Sequence, residues 1–420
     1  MPQPDASTNQ LDTAIRQHRT ANAQVTLTHD GRPLAHQEVV LAQKGHKFLF
    51  GTNWGESTLA LVNGELSGKD KELAELRSER FTALFNQVTF PFYWARFEPQ
   101  RGQPQTERLL SAARWYKDRG CLIKGHPLCW HTLTADWLLS MSNREILSAQ
   151  LARIERDVTA FKGIIDQWDV VNEAVIMPIF DRYDNGITRL CKEMGRIELI
   201  RSMFEAARAA NPGATLLLND FDVSPAFDIL VEGCLEAGIQ IDVIGIQSHM
   251  HQGYWGVERT QSVLEHFERF KLPVHFTENS ILSGQLMPPE IVDLNDYQVS
   301  EWPSTPQGEE RQAREVLLHY KTLLADPAVQ SITWWDLSDG SWLNAPAGLL
   351  HKDHSPKPAY HELLKLIKGE WWLAPTKTST DGNGQIAFSG FLGEYEISLG
   401  DQRALFKLNE AGDARLSLGI

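Results

Sequence analysis

The chain has 420 residues, enough for one large barrel of about 250–350 residues with a small extra module, or for roughly two to three ordinary domains. Hydrophobic residues make up 42% and charged residues 22%, a globular composition that excludes a largely disordered chain. The formal net charge of −14 excludes nucleic acid and anionic membrane as main partners, since both need cationic surface, and leaves a neutral polysaccharide open.

Met1-Pro2-Gln3-Pro4-Asp5 carries no basic stretch followed by an apolar run. No signal peptide is expected, which leaves a cytoplasmic protein or one whose leader has been removed. No run reaches the roughly 18 apolar residues of a membrane span. Residues 1–22 are polar and predict a short helix or loose tail. Val25-Thr26-Leu27-Thr28 alternates, Asp30-Gly31 is a turn signal and Val39-Val40-Leu41 follows, which predicts a small antiparallel hairpin.

From residue 47 to 368 short apolar runs alternate with longer amphipathic stretches. The predicted strands are Phe48–Phe50, Gln87–Thr89, Leu122–Gly125, Gln167–Val171, Leu216–Asn219, Val243–Ile246, Val274–Thr277 and Ser331–Trp334. Helix-like stretches lie between them, for example Ile197 to Ala210 and Gly308 to Leu324. Strand–helix units repeated through the chain predict an α/β fold, a closed (β/α)8 TIM barrel rather than an open sheet. Residues 279–310, with Pro288, Pro289, Pro303 and Pro306, form a long loop that either shapes the cleft or is a mobile surface insertion. Past residue 370 the helical period stops. Ile386–Phe388, Tyr395–Ser398 and Ala404–Phe406 read as strands, with turn signals at Thr380–Gly384. The expected division is 1–46, tail and hairpin; 47–368, barrel; and 369–420, an accessory β module packed with 23–46.

Thirteen Trp is a high count; most are expected in the core, and some are free to stack on sugar rings. Cys121, Cys129, Cys191 and Cys234 form no CxxC pair and no metal spacing, so they read as free thiols with a single bridge left open.

Catalytic groups of a barrel sit at the C-terminal ends of its strands. Strand four ends in Asn172-Glu173 and strand seven in Thr277-Glu278. Two carboxylates facing one cleft are what glycosidic bond cleavage needs: one protonates the leaving oxygen, and the other attacks or activates water. Strand three runs into Gly125-His126-Pro127-Leu128-Cys129-Trp130-His131, strand six ends in Gln247-Ser248-His249, and strand eight runs into Trp334-Trp335-Asp336 with Ser341-Trp342 beyond. Three imidazoles at strand ends leave a zinc site open, but the carboxylates have a complete role without metal, so neither metal nor cofactor is expected.

Trp168-Asp169-Val170-Val171-Asn172-Glu173-Ala174 resembles the acid/base segment of glycoside hydrolase family 10, the family of endo-β-1,4-xylanases. The Gly-His-x-Leu-x-Trp-His segment at 125–131, Gly-Ile-Gln-Ser-His at 245–249 and Thr-Glu at 277–278 fall in the family's order. The resemblance implies a retaining glycosidase acting on a carbohydrate substrate, and a monomer is expected. It implies Glu173 as general acid/base, Glu278 as nucleophile, Asn172 on the sugar 2-hydroxyl and His249 holding the nucleophile. Gln247 and His126 would line the same subsite, and Trp130, Trp334 and Trp342 would wall it. Retention requires the carboxyl groups about 5–5.5 Å apart.

Two departures from the family stand out. Its second-strand segment reads Glu-Asn-x-x-Lys-Trp followed by Glu-Pro-x-x-Gly. Here Trp94 and Glu98-Pro99-Gln100-Arg101-Gly102 align, while Thr89, Phe90 and Tyr93 take the Glu, Asn and Lys positions. Aromatic Phe90 and Tyr93 as substrate-binding residues imply weaker selection for plain xylose hydroxyls, unless Arg96 or another loop supplies the contacts. A decorated or different β-glycan therefore stays open beside xylan, as does a non-catalytic carbohydrate-binding barrel. The acidic residue two positions after the nucleophile is replaced by Ser280, so His249 is expected to be neutral or to find another acid.

Overall fold

The structure, a computed structural model, describes residues 6–420. At its centre eight parallel strands close into a barrel, each paired with its neighbour in chain order. They are β1 (Leu49–Asn53), β2 (Gln87–Pro91), β3 (Leu122–His126), β4 (Gln167–Asn172), β5 (Thr215–Asp220), β6 (Val243–Met250), β7 (Val274–Ile281) and β8 (Val329–Trp334). β8 closes on β1 through the pairs Ser331–Leu49 to Trp334–Thr52. Helices follow the strands and cover the outside, as the alternating pattern predicts.

Side chains alternate between the two faces of each strand. Inside the barrel Gln87 Nε2 donates to Gln167 Oε1 (2.8 Å) and Ser331 Oγ donates to Gln87 Oε1 (2.5 Å), so β2, β4 and β8 meet across the axis through polar groups. The opposite parity faces the helices. Val88, Phe90, Trp168, Ile332 and Trp334 lie in the apolar layer between strands and helices. Gly125 belongs to this outer layer, and a Cβ there would stand 2.1 Å from the Trp168 ring.

The polar N-terminal stretch forms the helix Ala6–Arg19, with Leu11 and Ile15 buried against the barrel; the tail residues 1–5 lie outside the described residues. Arg19 fastens the helix end, donating to the carbonyls of Leu324 (2.8 Å), Val329 (2.7 Å) and Asp326.

The expected N-terminal hairpin forms differently. Asp30 and Gly31 turn with positive φ, but the turn pairs Thr20–His29 only with the short strand Arg32–Pro33. Glu38–His46 instead crosses to a second sheet. The first sheet orders Gln385–Phe391, Thr20–His29 and Gly412–Gly419; the second orders Thr376–Ser379, Glu38–His46, Gly393–Leu399 and Gln402–Leu408. Each sheet has one apolar face, and stacking them face to face buries both. Val25, Leu27, Val39, Leu41, Ile386, Tyr395 and Ile397 form that shared core. All four cysteines are buried free thiols. Among the described residues no helix is long and apolar enough to cross a membrane.

Candidate active site

The mouth of the barrel is shaped by two interruptions in strand pairing. The β4–β5 register slips between Asp169 and Val171, and the β7–β6 register slips between Phe276 and Glu278. A bulge inserts a residue and re-aims the side chains that follow. Asn172 and Glu173 on one side and Glu278 on the other are thereby turned into the cleft. Glu173 also adopts φ 56°, a region costly for a residue with a Cβ. Its N–H is tied to Asn219 O at 2.8 Å.

Glu173 accepts three hydrogen bonds: from Trp130 Nε1 (2.8 Å), Asn172 Nδ2 (3.1 Å) and Gln247 Nε2 (3.2 Å). Glu278 accepts from Asn219 Nδ2 (3.3 Å) and lies 3.2 Å from His249 Nε2 and 3.7 Å from His126 Nε2. Asn219 joins the two halves, because its amide also donates to Asn172 Oδ1 (2.7 Å) and its carbonyl takes the Thr277 hydroxyl (2.5 Å).

Burial raises Glu173 to about 7, and the negative charge of Glu278 adds to the rise; the three hydrogen bonds oppose it. Glu278 also stands raised to about 7, chiefly by burial, with Asp169 adding to the rise and His126, Lys124 and the Asn219 hydrogen bond opposing it. The neighbours differ even though the values do not: the charge of Glu278 disfavours a second anion at Glu173, while His126 and Lys124 favour the anion at Glu278, so a single shared proton is directed to Glu173. Below them Asp169 binds Lys124 Nζ and His126 Nδ1, both at 2.7 Å. Burial works against the Asp169 anion, yet Lys124 and His126 outweigh it and hold its carboxyl below the ordinary value. Asp169 thus takes the His126 Nδ1 side and leaves Nε2 facing the cleft.

His249 is held between Glu278 and Ser280, whose Oγ is 3.1 Å from Nδ1. Burial lowers it to about 4, with the Asp336 charge pulling the other way, so the imidazole is neutral near pH 7. An ionised Glu278 can only accept, so a hydrogen bond to it requires the ring proton on Nε2, and the Ser280 hydroxyl can then donate to Nδ1. Asp220, raised by burial to about 7, accepts the N–H groups of Val175 (3.0 Å) and Asp222 (3.0 Å) and pins the loop after Glu173.

The residues expected at the site divide clearly. Glu173, Glu278, Asn172, His249, Gln247, His126 and Trp130 meet around one gap. Trp342 lies over His249, ring centroids 4.6 Å apart. Tyr93 packs against Trp54 (5.4 Å), Trp130 (5.6 Å) and His126 (5.7 Å). Two expectations are corrected. Trp334 is fully buried, faces the helices and donates its indole N–H to Ala347 O (3.0 Å). The next residue, Trp335, stands on the cleft side instead, edge-on to His126 at 5.6 Å. Phe90 is likewise fully buried, against Tyr116 in the helix layer (5.5 Å), and cannot touch a ligand in the cleft. Arg96 extends over the Tyr93 ring at 5.9 Å.

Sequence reading also missed Asn219, Asp169, Lys124, Trp54 and the Asn53–Asp336 contact. Asn53, Asn219 and Asp336 are polar groups at strand ends, so the rule that found the glutamates was sufficient to find them. Lys124 and Asp169 sit inside strands and carried no comparable mark. Glu98 of the Glu-Pro-x-x-Gly segment is structural: it accepts from Gly102 N (2.7 Å) and Trp94 Nε1 (3.1 Å) and pairs with Arg156 (3.0 Å). The described residues contain no cluster of three or more His, Cys, Asp or Glu able to hold a metal ion.

Residues 55–366 match the model of glycosyl hydrolase family 10. The chain is similar to the endo-1,4-β-xylanase/feruloyl esterase of Xylanibacter ruminicola, 28% identical over 293 residues that cover 62% of this chain and 39% of that protein. It is 25% identical over 295 residues to endo-1,4-β-xylanase B of Thermotoga neapolitana, covering 66% of this chain and 78% of the relative. The match thus spans about two-fifths of the first relative's length and most of the second's. In three dimensions it resembles xylanase 10B of Thermotoga petrophila RKU-1 in complex with xylobiose, with TM-score 0.61, 22% identity, and coverage of 76% of this chain and 95% of that one. Native xylanase 10B of Thermotoga maritima gives TM-score 0.60 at 22% identity, covering 77% and 96% of the two chains. These structural likenesses bear on the fold.

Proposed function

The chain belongs to glycosyl hydrolase family 10, and from that premise we propose that it cleaves a β-1,4-linked xylan-type glycan with retention, through a covalent intermediate on Glu278. The observation that carries the reading is the asymmetry between two buried carboxyls. Glu173 is raised by burial and by its neighbour's charge, while Glu278 faces His126, Lys124 and the Nε2–H of His249. The first is suited to deliver a proton, the second to attack.

In the first step Glu278 attacks the anomeric carbon as Glu173 protonates the departing oxygen. Once Glu278 is esterified its charge is gone, so Glu173, now ionised, loses a neighbour that raised its pKa. It then takes a proton from water, which displaces Glu278 and restores the starting state. Asn172, whose Oδ1 accepts from Asn219, would meet the 2-hydroxyl of the sugar on Glu278. No cofactor is needed for these steps. Trp54, Trp335 and Tyr93 supply ring faces for the bound sugar.

Tyr93 favours a second reading in which the glycone is decorated or is not plain xylose. An aromatic ring here replaces an ammonium, and Thr89 Oγ1 is buried without a protein partner. Changing Tyr93→Lys should then raise activity on unsubstituted xylan relative to decorated substrates. The main test uses 4-nitrophenyl β-xyloside and other aryl β-glycosides with the wild type and Glu278→Ala. Turnover by the wild type, a loss of roughly 10⁴-fold or more in the variant, and β-product appearing first in the ¹H NMR spectrum are expected. Wild-type inactivity on every β-glycoside refutes the catalytic reading, and α-product appearing first refutes the double displacement.

A further inference from the structure

The long segment after β7 is a built lobe. Leu282, Met287 and Trp302 form a small apolar core with Ala345 and Ala347. Backbone and side-chain hydrogen bonds tie it to the loop after β6: Met287 N donates to His251 O (2.9 Å), and Gln252 Nε2 donates to Pro288 O (2.9 Å) and Ile291 O (2.8 Å). This lobe reaches across the cleft to the loop that follows Glu173. Arg182 of that loop pairs with Asp293 (2.6 Å) and Asp296 on the lobe. Asp293 is itself held in place, accepting from Asn295 N at 2.9 Å.

Followed atom by atom, the contacts form a ring. Glu278 meets His249 at 3.2 Å, His249 packs on Trp342 at 4.6 Å, and Trp342 Nε1 donates to Asn295 Oδ1 at 3.3 Å. Asn295 stands between the two aspartates that take Arg182. Two residues before Arg182, Phe180 packs on His131 at 4.4 Å, and His131 Nε2 is 4.0 Å from Glu173. The ring thus runs from nucleophile to proton donor over the strand ends of β5 and β6. Glu173 protonates the departing oxygen, so the loop that extends from it borders the leaving-group half of the cleft. The aromatic pocket of Trp54, Tyr93 and Trp335 lies on the other side, toward β1, β2 and β8.

We infer that the Arg182 clasp closes the leaving-group side of the cleft and restricts the enzyme to short leaving groups, so that it acts on oligosaccharides and chain ends rather than within long chains. The inference rests on the catalytic reading above and adds the class of substrate. A polymer cut at an internal bond must extend past the clasp, whereas a short leaving group fits inside the ring. Arg182 acts without touching the substrate. It acts by holding the two walls together through one guanidinium shared between two carboxylates.

The test first identifies which of 4-nitrophenyl β-xyloside, β-xylobioside and β-glucoside the full chain turns over. It then follows product lengths and viscosity on the matching long β-1,4-glycan, for the wild type, Arg182→Ala and the double variant Asp293→Ala/Asp296→Ala. The wild type should release short products from chain ends with little loss of viscosity. Both clasp variants should raise the ratio of polymer to aryl-glycoside activity by about fivefold or more, with aryl-glycoside activity little changed. A wild type that yields a ladder of mid-chain fragments with a rapid fall in viscosity overturns the inference and leaves the catalytic reading intact. So does an unchanged ratio in folded clasp variants. If a variant fails to fold, the wild-type product pattern decides alone. Absence of turnover on all three aryl glycosides removes the catalytic reading and this inference with it.

Discussion

Replacing Trp130 by Phe keeps a ring beside the cleft and removes one hydrogen bond, the 2.8 Å contact from Nε1 to Glu173 Oε2. That bond favours the ionised form of Glu173 and is among the causes that hold its pKa down, against burial and the charge of Glu278. A hydrogen bond to a charged group stabilises by roughly 1.5–3 kcal/mol, and one to the neutral carboxyl by roughly 0.5–1.5 kcal/mol. The difference, about 1–1.5 kcal/mol, corresponds to about one pKa unit at 1.36 kcal/mol per unit. In the proposed mechanism Glu173 is protonated in the first step, so its ionisation is expected to set the alkaline limb of kcat/KM. Loss of the bond disfavours the anion, raises the pKa and moves that limb upward by about one unit. The acid limb, assigned in the same mechanism to the ionisation of Glu278, should stay nearly in place. The assay is the pH dependence of kcat/KM on an aryl β-glycoside for both proteins, with a circular dichroism melt to verify folding. An alkaline limb that stays put or moves down would show that Trp130 does not tune Glu173, or that Glu173 is not the proton donor.

Ser280→Asp places a negative charge beside Nδ1 of His249, which favours the imidazolium. The His249 pKa, now lowered to about 4, should rise by about one unit or more in an NMR titration; an unmoved value refutes the pairing. Gly125→Ala drives a methyl to 2.1 Å from Trp168, and overpacking of this kind costs roughly 1–3 kcal/mol, so Tm should fall by several degrees. Lys357, fully buried, donates to Asp339 (2.6 Å), Ser283 Oγ (2.8 Å) and Gly348 O (3.0 Å). Lys357→Ala strands a buried carboxylate and should destabilise by roughly 3–5 kcal/mol in chemical denaturation; a loss below about 1 kcal/mol would mean that Asp339 finds water.

Much of the molecule was legible in the residues themselves. Eight apolar runs separated by amphipathic stretches specify the barrel strands, because a parallel strand covered on its outer face by helices must be apolar there. Polar residues immediately after those runs mark the mouth, which brought Glu173, Glu278, His126, Gln247 and His249 into view. Strand parity was legible too. Gln87 and Thr89 share one face of β2, and Ser331 and Thr333 share one face of β8. The same alternation puts Phe90 and Trp334 on the opposite face and Trp335 in line with the cleft.

Only the tertiary structure decided which groups meet. The bulges that turn Asn172, Glu173 and Glu278 inward depend on the register of neighbouring strands, a relation between segments far apart in the chain. The same holds for the terminal sheets. An Asp-Gly turn fixes a local reversal, but whether the next strand pairs back or crosses to another sheet depends on where the C-terminal strands offer edges. The clasp is the extreme case, since Arg182, Asp293 and Asp296 are ordinary surface residues in the sequence. Local patterns encode what each segment buries, through the hydrophobic effect acting along a strand or helix. Proximity across the cleft is set by how all the segments pack at once.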